Sequence, residues 1–324
     1  MRTIETVKAI RIHEDGGPEV LRYEDTPDPV PGPDEVLVQL RAASLNRLDL
    51  WIRAGQPSVP KPRILGADGA GVLAGTDERV VINPGLAHDG RVEVLGEHRD
   101  GTHAELVAVP RSAVQPIPDG LSFEEAAAFP LVFLTAYRML VTRARLEPGE
   151  WVLVWGVGGG VGTASLAIAK ALGASVVVTS SSDEKLERAL GLGADAALNH
   201  DRDDVPATVR ELSGGGAHVV VEHVGEATWA RTLAAARFGG RVVVCGASTG
   251  PNPPAALHRV WWRELSILGS TMGTPDDFRG AYELVASGRA RPVVDSVFPL
   301  ADARAAHERM ERGDQFGKVV LRIP

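Results

Sequence analysis

The stretch Trp151-Val-Leu-Val-Trp-Gly-Val-Gly-Gly-Gly-Val-Gly162 joins a short apolar run to a cluster of glycines. The run Trp151–Trp155 has no charged side chain, which is typical of a strand covered on both faces. The residues after the glycines, Thr163–Leu172, are rich in alanine and leucine and favour a helix, and Gly173 stands where a helix C-cap is expected. The segment therefore predicts a strand, a glycine turn and a helix in succession.

The glycine turn is a candidate site for a dinucleotide. Glycines between a strand and a helix let the backbone approach a pyrophosphate closely, and the helix N-terminus offers free N–H groups and a partial positive charge. The usual GxGxxG spacing is absent, because the best register has Val157 at its first position, followed by Gly159 and Gly162. A plain tight turn is the alternative. The residues expected to bind the cofactor here are Gly158, Gly159, Gly160, Val161 and Gly162.

Strands and helices continue to alternate beyond this turn. Ser181 and Glu184 can form a capping box for a helix through Leu190, and the alanine-rich residues Thr228–Phe238 predict another helix. The further predicted strands are Ser175–Val178, Ala194–Leu198, His218–Glu222, Val242–Cys245 and Leu265–Gly269. Strands that alternate with helices predict βαβ units and a parallel sheet.

The end of the second strand bears on the choice of cofactor. NAD binding usually requires Asp or Glu about 20 residues after the glycine turn, where the carboxylate binds the ribose hydroxyls. Here the strand ends in Thr179-Ser-Ser-Ser182, and the acids Asp183-Glu184 fall in the first turn of the next helix. The hydroxyls of Ser180 and Ser181 and the ammonium of Lys185 suit a 2′-phosphate, so we predict NADPH (NADP) over NAD. The alternative is that the serines only cap the helix and the lysine faces water.

The composition limits the class of function. The chain has 324 residues, a formal net charge of -8 and a pI of about 5.6, with no basic block, so nucleic acid is not an expected partner. No run of about 18 apolar residues predicts a membrane span, and the N-terminus lacks the apolar core of a signal peptide. Cys245 is the single cysteine, so no internal disulfide can form. These features lead us to expect a cytoplasmic protein of two domains.

The first 120 residues predict β structure with loops. Val36–Leu40 is a short apolar run, and Arg79–Ile82 ends in the turn sequence Asn83-Pro-Gly85. Prolines and glycines punctuate this part of the chain densely, as in an irregular barrel.

Several motifs are spread along the whole chain, in addition to the glycine turn. They are Asn46–Gly55, Leu65–Gly71, Glu124–Pro130, Leu134–Tyr137 and Phe316–Leu321. Their order and spacing resemble the zinc-free quinone oxidoreductase (zeta-crystallin-like) branch of the medium-chain dehydrogenase/reductase superfamily. The resemblance implies an α/β fold class, with a Rossmann doubly wound parallel sheet plus a GroES-like β-barrel domain. It implies a catalytic domain over residues 1–120, an NAD(P)-binding domain over 121–289 and a return to the catalytic domain over 290–324, with the active site in the cleft between them.

Zinc-dependent members of this superfamily hold their metal with a Cys, a His-Glu pair and a further Cys or Asp. The matching positions here are Asn46, Ala67-Asp68 and Leu131. A catalytic zinc needs three protein ligands, so the resemblance implies a site without metal. Three histidines that lie close together in the sequence are His88, His98 and His103. They could form a chance metal site, but loop histidines exposed to solvent are the expected interpretation.

The same resemblance implies further contacts with the cofactor. Trp51 stands where the branch has a tyrosine beside the nicotinamide, Thr135 where a threonine contacts that ring, and His200 where Tyr or His lies against the adenosine end. Ligands bind at the carboxyl ends of strands in an open α/β sheet, so the ends of the later strands are also expected at the cofactor. These residues are Val224, Gly225, Cys245, Gly246, Ala247, Gly269, Ser270 and Thr271. The alternatives are a core role for Trp51, buried packing for Cys245 and a solvated loop position for His200.

A mechanism without metal requires the cofactor to supply hydride to a ready acceptor. Quinones and C=C bonds conjugated to a carbonyl qualify, because hydrogen bonds can stabilise the charge that develops on the oxygen. Asn46 is the candidate donor to that oxygen, and Asp49 is either catalytic or a structural group that holds the loop around Asn46. Trp51 would form an apolar wall for a flat substrate. The proton donor stays open between Tyr137 and solvent.

Three hypotheses of function follow. The leading one is an NADPH-dependent reductase of a small-molecule quinone or α,β-unsaturated carbonyl. The second is a zinc-free alcohol/aldehyde dehydrogenase, because Val81–Leu86 and Gly96–Thr102 resemble members labelled alcohol dehydrogenases. The third is a non-catalytic NADPH-binding sensor. The resemblance also implies a homodimer, often formed by pairing of edge strands of the two Rossmann sheets. The loop 249–262, with Trp261 and Trp262, is expected to face either the substrate or an interface.

Overall fold

The computed structural model describes residues 6–88 and 91–324. Contacts divide the chain into two units, a first unit of Met1–Leu131 with Pro292–Pro324 and a second unit of Val132–Arg291. Among the described residues, no helix is long and apolar enough to cross a membrane.

The first unit begins with strands joined by loops. The strands are β1 (Thr6–Ile12), β2 (Arg22–Pro27), β3 (Glu35–Ser44), β4 (Arg63–Ile64), β5 (Asp68–Leu73), β6 (Arg79–Ile82), β7 (Gly85–His88), β8 (Arg91–Val94), β9 (Leu106–Pro110) and β10 (Val114–Pro116). The helices are α1 (Arg47–Arg53), which follows β3, and α2 (Phe123–Ala127), which follows β10. The predicted apolar run 36–40 lies inside β3, and the strand predicted at 79–82 coincides with β6.

From Pro130 onward the chain alternates between helices and strands. The elements are α3 (Pro130–Tyr137), β11 (Trp151–Val154), α4 (Gly160–Ala171), β12 (Ser175–Ser180), α5 (Asp183–Gly191), β13 (Ala196–Asn199), α6 (Val205–Ser213), β14 (Ala217–Glu222), α7 (Trp229–Ala235), β15 (Ala236–Val244), α8 (Leu257–Trp262), β16 (Ser266–Gly269) and α9 (Pro275–Ala286). The six strands form one parallel sheet in the order β13-β12-β11-β14-β15-β16. The order reverses direction beside β11, which is the arrangement of a doubly wound sheet.

The chain then returns to the first unit. The last elements are β17 (Val294–Pro299), α10 (Ala303–Arg312) and β18 (Lys318–Arg322). The main sheet of this unit has the order β10-β6-β5-β3-β18-β17, with β9 also paired to β3. Strand β18 runs antiparallel to β3, with Val320 opposite Ser44, so the C-terminal segment lies beside the strand that leads to Asn46.

The parallel strands of the second unit are buried on both faces. Val152, Leu153 and Val154 of β11 are fully buried, and the valines of β12 and β14 flank them. A fully buried valine or leucine side chain contributes about 1.5–3 kcal/mol relative to an exposed one. The apolar run at 151–155 is therefore a central strand, as its composition predicted.

Some element boundaries differ from the sequence predictions. Helix α4 begins at Gly160, so part of the glycine cluster is helical. Helix α7 ends at Ala235 and not at Phe238, because Ala236 already pairs with Ala217 of β14. Helix α6, which the sequence analysis did not predict, begins after Asp204, whose carboxylate accepts a hydrogen bond from the backbone of Ala207.

The boundary between the units lies later than the predicted position after residue 120. Helix α2 packs against β3, β5 and β18, and this contact extends the first unit through Leu131. The return to the first unit begins at Pro292, two residues after the predicted position of 290.

Candidate active site

A buried polar cluster of the first unit surrounds Asn46, the N-cap residue of α1. Asn46 Nδ2 donates to Asp68 Oδ2 at 2.9 Å, and Asn46 Oδ1 accepts from Lys318 Nζ at 2.5 Å. Lys318 Nζ also donates to Asp68 Oδ2 at 2.9 Å, and Ser44 Oγ donates to the same oxygen at 3.0 Å. The amide of Asn46 is thus held between the two members of a buried ion pair.

The neighbours of strand β3 explain why these residues meet. Ser44 ends β3 and lies opposite Asp68, the first residue of β5. Lys318 begins β18, which pairs with the same end of β3 on its other side. The strand order β5-β3-β18 therefore brings residues that are distant in the sequence around the start of α1.

Asp49 holds the loop that carries Asn46. Its Oδ2 accepts from the backbone N–H of Asn46 at 2.7 Å, and its Oδ1 accepts from the backbone N–H of Gly66 at 2.9 Å. Burial raises the pKa of Asp49 to about 6, although the two backbone donors and Lys318 act in the opposite direction. Since both carboxylate oxygens face the backbone, the geometry favours the structural interpretation of Asp49.

The positions that match zinc ligands do not provide a fitting donor set. Ala67 and Leu131 have no donor atom in their side chains, and the backbone N–H of Leu131 instead donates to Asp68 Oδ1 at 2.7 Å. The ammonium of Lys318 contacts both remaining oxygen donors, on Asn46 and Asp68. Within residues 6–88 and 91–324, no group of three or more His, Cys, Asp or Glu is placed to hold a metal ion. The side chains present here therefore do not fit zinc.

The three histidines weighed as a chance metal site have different surroundings. His98 is exposed, and the side chain of His88 lies outside the described residues. His103 is fully buried, so the expectation of a solvent-exposed loop histidine was wrong for this residue. The cause is backbone pairing, because His103 N donates to Leu65 O while its carbonyl accepts from Ile10 N. These bonds fix the segment inside the first unit.

The His103 ring lies close to a second buried histidine, His307 of α10. The ring centroids are 6.3 Å apart in an edge-to-face arrangement, and Arg53 hydrogen-bonds to His307 Nδ1 at 3.1 Å. Burial lowers the pKa of His103 to about 3, and burial also lowers the pKa of His307 well below its usual value. Both imidazoles are therefore neutral at pH 7.

Other predicted residues near the nicotinamide lie on two helices. Trp51 is on α1, and 39% of its surface is exposed, so it is not a core residue. Thr135 is buried in α3. Tyr137, on the same helix, places its ring against the backbone of Gly280 in α9, where an added Cβ would lie 2.3 Å from the phenol oxygen. This contact favours the packing interpretation of Tyr137 over a role as proton donor.

The glycine turn lies between β11 and α4, as predicted. Gly158 and Gly159 precede the helix, and the first turn of α4 contains Gly160, Val161 and Gly162. A Cβ on Gly162 would lie 2.7 Å from Gly156 O and 2.8 Å from the Cα of Val157, so only glycine fits there. The first N–H groups of a helix have no partner within it, and they can bind an anion. The turn therefore fits the pyrophosphate of a dinucleotide.

The helix cap after β12 lies one residue later than predicted. The N-cap is Ser182, whose Oγ accepts from the backbone N–H of Lys185, and not Ser181. The reason is that β12 extends to Ser180 and α5 begins at Asp183. Ser180 Oγ accepts from Ser182 N at 3.1 Å, and Ser181 is exposed.

The first carboxylate after β12 is already paired. Asp183 accepts two hydrogen bonds from the guanidinium of Arg202, at 2.9 and 2.7 Å, and one from Asn199 Nδ2 at 3.0 Å. These bonds lower the pKa of Asp183, with that of Arg202 the largest cause. Its negative charge is therefore balanced beside the end of β13.

His200 follows β13 and is anchored to its neighbours. Its Nδ1 lies 3.2 Å from Thr179 Oγ1, and its ring is 6.4 Å from that of the buried Trp155. The guanidinium of Arg231 lies 5.1 Å from the Trp155 ring and donates to the His200 carbonyl at 2.6 Å. Burial is the main cause that lowers the pKa of His200. The residue is thus half-buried at the sheet edge, and the solvated-loop alternative was wrong.

Glu222 shapes the loop after β14. It is fully buried and accepts from the backbone N–H groups of Val224 at 2.7 Å and Gly225 at 3.0 Å. The hydroxyls of Thr228 and Thr232 also donate to it. The carboxylate thus fixes the two residues that the sequence analysis placed at the cofactor.

The remaining predicted residues follow β15 and β16. Cys245 is only partly exposed, and burial raises the pKa of its thiol to about 12, so it is neutral. The residues after these strands are Gly246 and Ala247, which are half-buried, Gly269 and Thr271, which are exposed, and Ser270, which is buried. Because all six strands are parallel, these residues lie along the same sheet edge as the glycine turn, Ser180 and His200.

Two functional candidates, Lys318 and Glu222, were not predicted from the sequence. Lys318 lies inside the quoted motif Phe316–Leu321, but nothing local marks its side chain as buried. Glu222 ends an apolar strand, and a charged residue in that position is a weak signal of a buried acceptor. Both side chains acquire their roles only through partners in other elements.

Comparisons with known proteins agree with this architecture. The family "Alcohol dehydrogenase GroES-like domain" matches residues 32–119, and the family "Zinc-binding dehydrogenase" matches residues 160–287. Quinone oxidoreductase of Mus musculus is 32% identical over 333 residues, covering 97% of each chain. The chain belongs to the medium-chain dehydrogenase/reductase superfamily.

Two solved structures of this superfamily fold are also similar. The crystal structure of an NAD-dependent alcohol dehydrogenase has a TM-score of 0.94 and 43% identity, covering 98% of this chain and 100% of that one. The structure of the 2-octenoyl-CoA carboxylase reductase CinF in complex with NADP and 2-octenoyl-CoA has a TM-score of 0.91 and 28% identity, covering 99% and 88%. This member of the superfamily is accordingly an NAD(P)-dependent oxidoreductase that acts on a small molecule. Its GroES-like and Rossmann folds confirm the predicted fold class.

Proposed function

We propose that the chain is a zinc-independent, NADPH-dependent oxidoreductase that reduces a quinone or an α,β-unsaturated carbonyl. The observation that carries this proposal is the fixed amide of Asn46. Its Oδ1 faces an ammonium and one Nδ2 hydrogen faces a carboxylate, which leaves the second Nδ2 hydrogen as a donor. The site offers a hydrogen-bond donor but no set of side chains that fits a metal. It therefore suits a hydride acceptor whose reduction needs no strong Lewis acid.

In this proposal Asn46 donates a hydrogen bond to the carbonyl oxygen of the acceptor. The bond stabilises the negative charge that develops on that oxygen during reduction. Asp49 keeps the donor in place by binding the backbone of Asn46 and Gly66. Trp51 contributes an apolar wall for a flat acceptor, and solvent protonates the product.

NADPH, when bound, supplies the hydride. The residues proposed to hold the nicotinamide and the later part of the cofactor are Thr135, Val224, Gly225, Cys245, Gly246, Ala247, Gly269, Ser270 and Thr271. Those proposed to hold the pyrophosphate are Gly158, Gly159, Gly160, Val161 and Gly162, and those proposed for the adenosine end are Ser180, Ser181, Lys185 and His200. The common edge of the parallel sheet supports this assignment for the residues that follow its strands.

The pairing of Asp183 supports NADPH over NAD. A free carboxylate after the second strand would bind ribose hydroxyls and repel a 2′-phosphate. Here Arg202 and Asn199 already bind that carboxylate, and the hydroxyls of Ser180 and Ser181 lie beside it in the chain. In this proposal the paired carboxylate repels a 2′-phosphate less than a free carboxylate would.

A second candidate is a zinc-free alcohol dehydrogenase that uses NAD. The 43% identity to an NAD-dependent alcohol dehydrogenase favours it. The two proposals differ in acceptor, in cofactor and in the direction in which the reaction is easily observed, so one assay separates them.

The deciding assay follows NADPH oxidation with a simple quinone and a simple enone in chelator-treated protein, beside an NADH control and an alcohol with NAD. We expect turnover with NADPH at least about tenfold faster than with NADH, the ratio that a difference of about 1.4 kcal/mol produces. Turnover of simple alcohols without quinone or enone reduction would support the dehydrogenase. Binding of NADPH without any turnover would point to a sensor. Activity that appears only with added zinc would contradict the metal-independent mechanism.

We also propose that the enzyme is a homodimer formed through β16. This strand ends the sheet order on one side, and its Ile267 is exposed. Phe238, Trp261 and Trp262 are also exposed apolar side chains of the same unit. An exposed strand edge with apolar side chains favours pairing with a second copy.

A further inference from the structure

The side chain of Lys318 is buried, with only 2% of its residue surface exposed. Lys318 Nζ is 2.9 Å from Asp68 Oδ2 and 2.5 Å from Asn46 Oδ1. A buried charge is costly unless it is paired and hydrogen-bonded, and this ammonium satisfies both conditions. The Lys318–Asp68 ion pair is therefore an integral part of the folded structure.

The hydrogen bonds of Asp68 are distributed over both of its oxygens. Oδ1 accepts from the backbone N–H of Leu131, and Oδ2 accepts from Ser44, Asn46 and Lys318. If the Asn46 amide were flipped, its NH2 group would face the ammonium and its oxygen would face the carboxylate. Both contacts would be repulsive, because an ammonium has only donors and a carboxylate only acceptors. Lys318 and Asp68 together permit one orientation of the amide.

The same ammonium occupies the space beside the two oxygen donors that a metal would use. Zinc binds carboxylate oxygens at about 2.0–2.2 Å. A zinc ion on Asp68 Oδ2 would lie within a few ångströms of Lys318 Nζ, where the two positive charges repel each other strongly in a buried setting. The positive charge in this site is therefore carried by the side chain of Lys318 and not by a metal ion.

We propose that Lys318 is the built-in cation of the site. It neutralises Asp68, keeps divalent metal out, and positions Asn46 as a hydrogen-bond donor. The positioning role rests on the proposed function, whereas the exclusion of metal does not. Lys318 acts through Asn46 and Asp68, so it is a positioning residue and not a catalytic one.

The test compares Lys318→Met with the double variant Asp68→Asn/Lys318→Met. The single variant leaves the Asp68 carboxylate buried without its cation, so we expect a lower Tm. The double variant removes both charges, so we expect its Tm to recover towards that of the wild type. Its kcat should nevertheless stay about 100-fold or more below the wild-type value, the loss typical of a missing donor to a developing oxyanion. KM for NADPH should not change in the double variant.

The control is Lys170→Met, which removes the lysine of the exposed Lys170–Asp195 pair in the second unit. Its Tm and kcat should match those of the wild type. A double variant with recovered Tm and wild-type kcat would show that Lys318 only balances charge, and would overturn the positioning role.

A second measurement, of bound zinc, requires no hydride acceptor. Wild-type protein is dialysed against zinc, passed through a desalting column and analysed for metal. We expect zinc far below one ion per chain. One zinc per chain in the wild type that is lost in Asp68→Asn would overturn the exclusion of metal. If the wild type reduces neither quinone nor enone, the proposed function is wrong. The metal content and the Tm values still test whether Lys318 neutralises Asp68 and excludes metal.

Discussion

The amide of Asn46 carries the chemistry proposed for the site, and its orientation depends on two charged neighbours. Replacing Asn46 by alanine removes the donor while leaving the Lys318–Asp68 ion pair in contact. We expect kcat with a quinone or enone to fall about 100-fold, because loss of one oxyanion donor costs roughly that factor. Steady-state kinetics measure this effect, and a melting curve of the same variant checks its folding. A folded Asn46→Ala enzyme with wild-type kcat would contradict the role.

At the same scale, residue type alone made Asn46 a candidate site residue, but it gave no indication of the contacts made by Lys318. An asparagine in place of a metal ligand is visible in the sequence. The burial of a lysine 272 positions later is not, because no local pattern distinguishes it from an exposed strand residue.

Among the elements, the turn between β11 and α4 offers a matched pair of glycine substitutions. A Cβ on Gly162 would meet the backbone of Gly156 and Val157 at under 3 Å, whereas a Cβ on Gly159 would have no atom within 4 Å. We therefore expect Gly162→Ala to lower the Tm of the protein without cofactor, and Gly159→Ala to leave it unchanged. Differential scanning fluorimetry measures both variants.

The same pair also tests the role of the turn in binding. If the backbone of Gly159 lies against the pyrophosphate, the methyl group of Gly159→Ala weakens NADPH binding in a protein of normal Tm. Isothermal titration calorimetry would measure this loss. Unchanged affinity in Gly159→Ala would mean that the pyrophosphate lies elsewhere.

For the whole molecule, the buried histidines of the first unit make stability depend on pH. His103 and His307 have pKa values below 6.5 in the folded state, so the unfolded chain binds more protons as the pH falls below 6.5. Asp49 acts in the opposite direction between pH 6 and 3.8, because its pKa is raised by folding. Protonation of two imidazoles in the unfolded chain lowers the stability of the fold more than protonation of one carboxyl group in the folded chain raises it. We therefore expect the Tm to fall from pH 7 to pH 5.

Variants of single histidines test this explanation. The His103 ring is fully buried, so His103→Leu replaces a titrating group of the first unit with an apolar side chain. The dependence of Tm on pH should become shallower in this variant, and it should stay as in the wild type in the control His258→Gln, at an exposed position. An unchanged dependence in His103→Leu would assign the acid sensitivity to other groups.

The proposed dimer is also a property of the whole molecule. A lysine at position 267 would place a charge on the exposed edge strand β16, which opposes pairing with a second copy. We expect Ile267→Lys to be monomeric by size-exclusion chromatography with light scattering. Leu212→Lys changes a similarly exposed apolar residue of α6 and should leave the oligomeric state unchanged. A dimeric Ile267→Lys protein would place the interface on another surface.

The sequence by itself determined the features that depend on local patterns. The apolar run 151–155, the glycine turn and the alternation of strands with helices predicted a parallel sheet, and the structure has it. Local patterns suffice there, because side-chain periodicity and glycine conformation act over a few residues. The N-cap at Ser182 and the end of α7 at Ala235 were missed by one to three residues, since pairing with neighbouring strands sets those ends.

Only the tertiary structure decided how the polar and charged side chains are arranged. It joins Asn46, Asp68 and Lys318 through the strand order β5-β3-β18, buries His103 beside His307, and pairs Asp183 with Arg202. These contacts link residues of different elements, and the energies of the buried ones depend on desolvation and on partners supplied by other elements. The residue types were visible from the beginning, but whether each charge is exposed, paired or buried is a property of the folded chain.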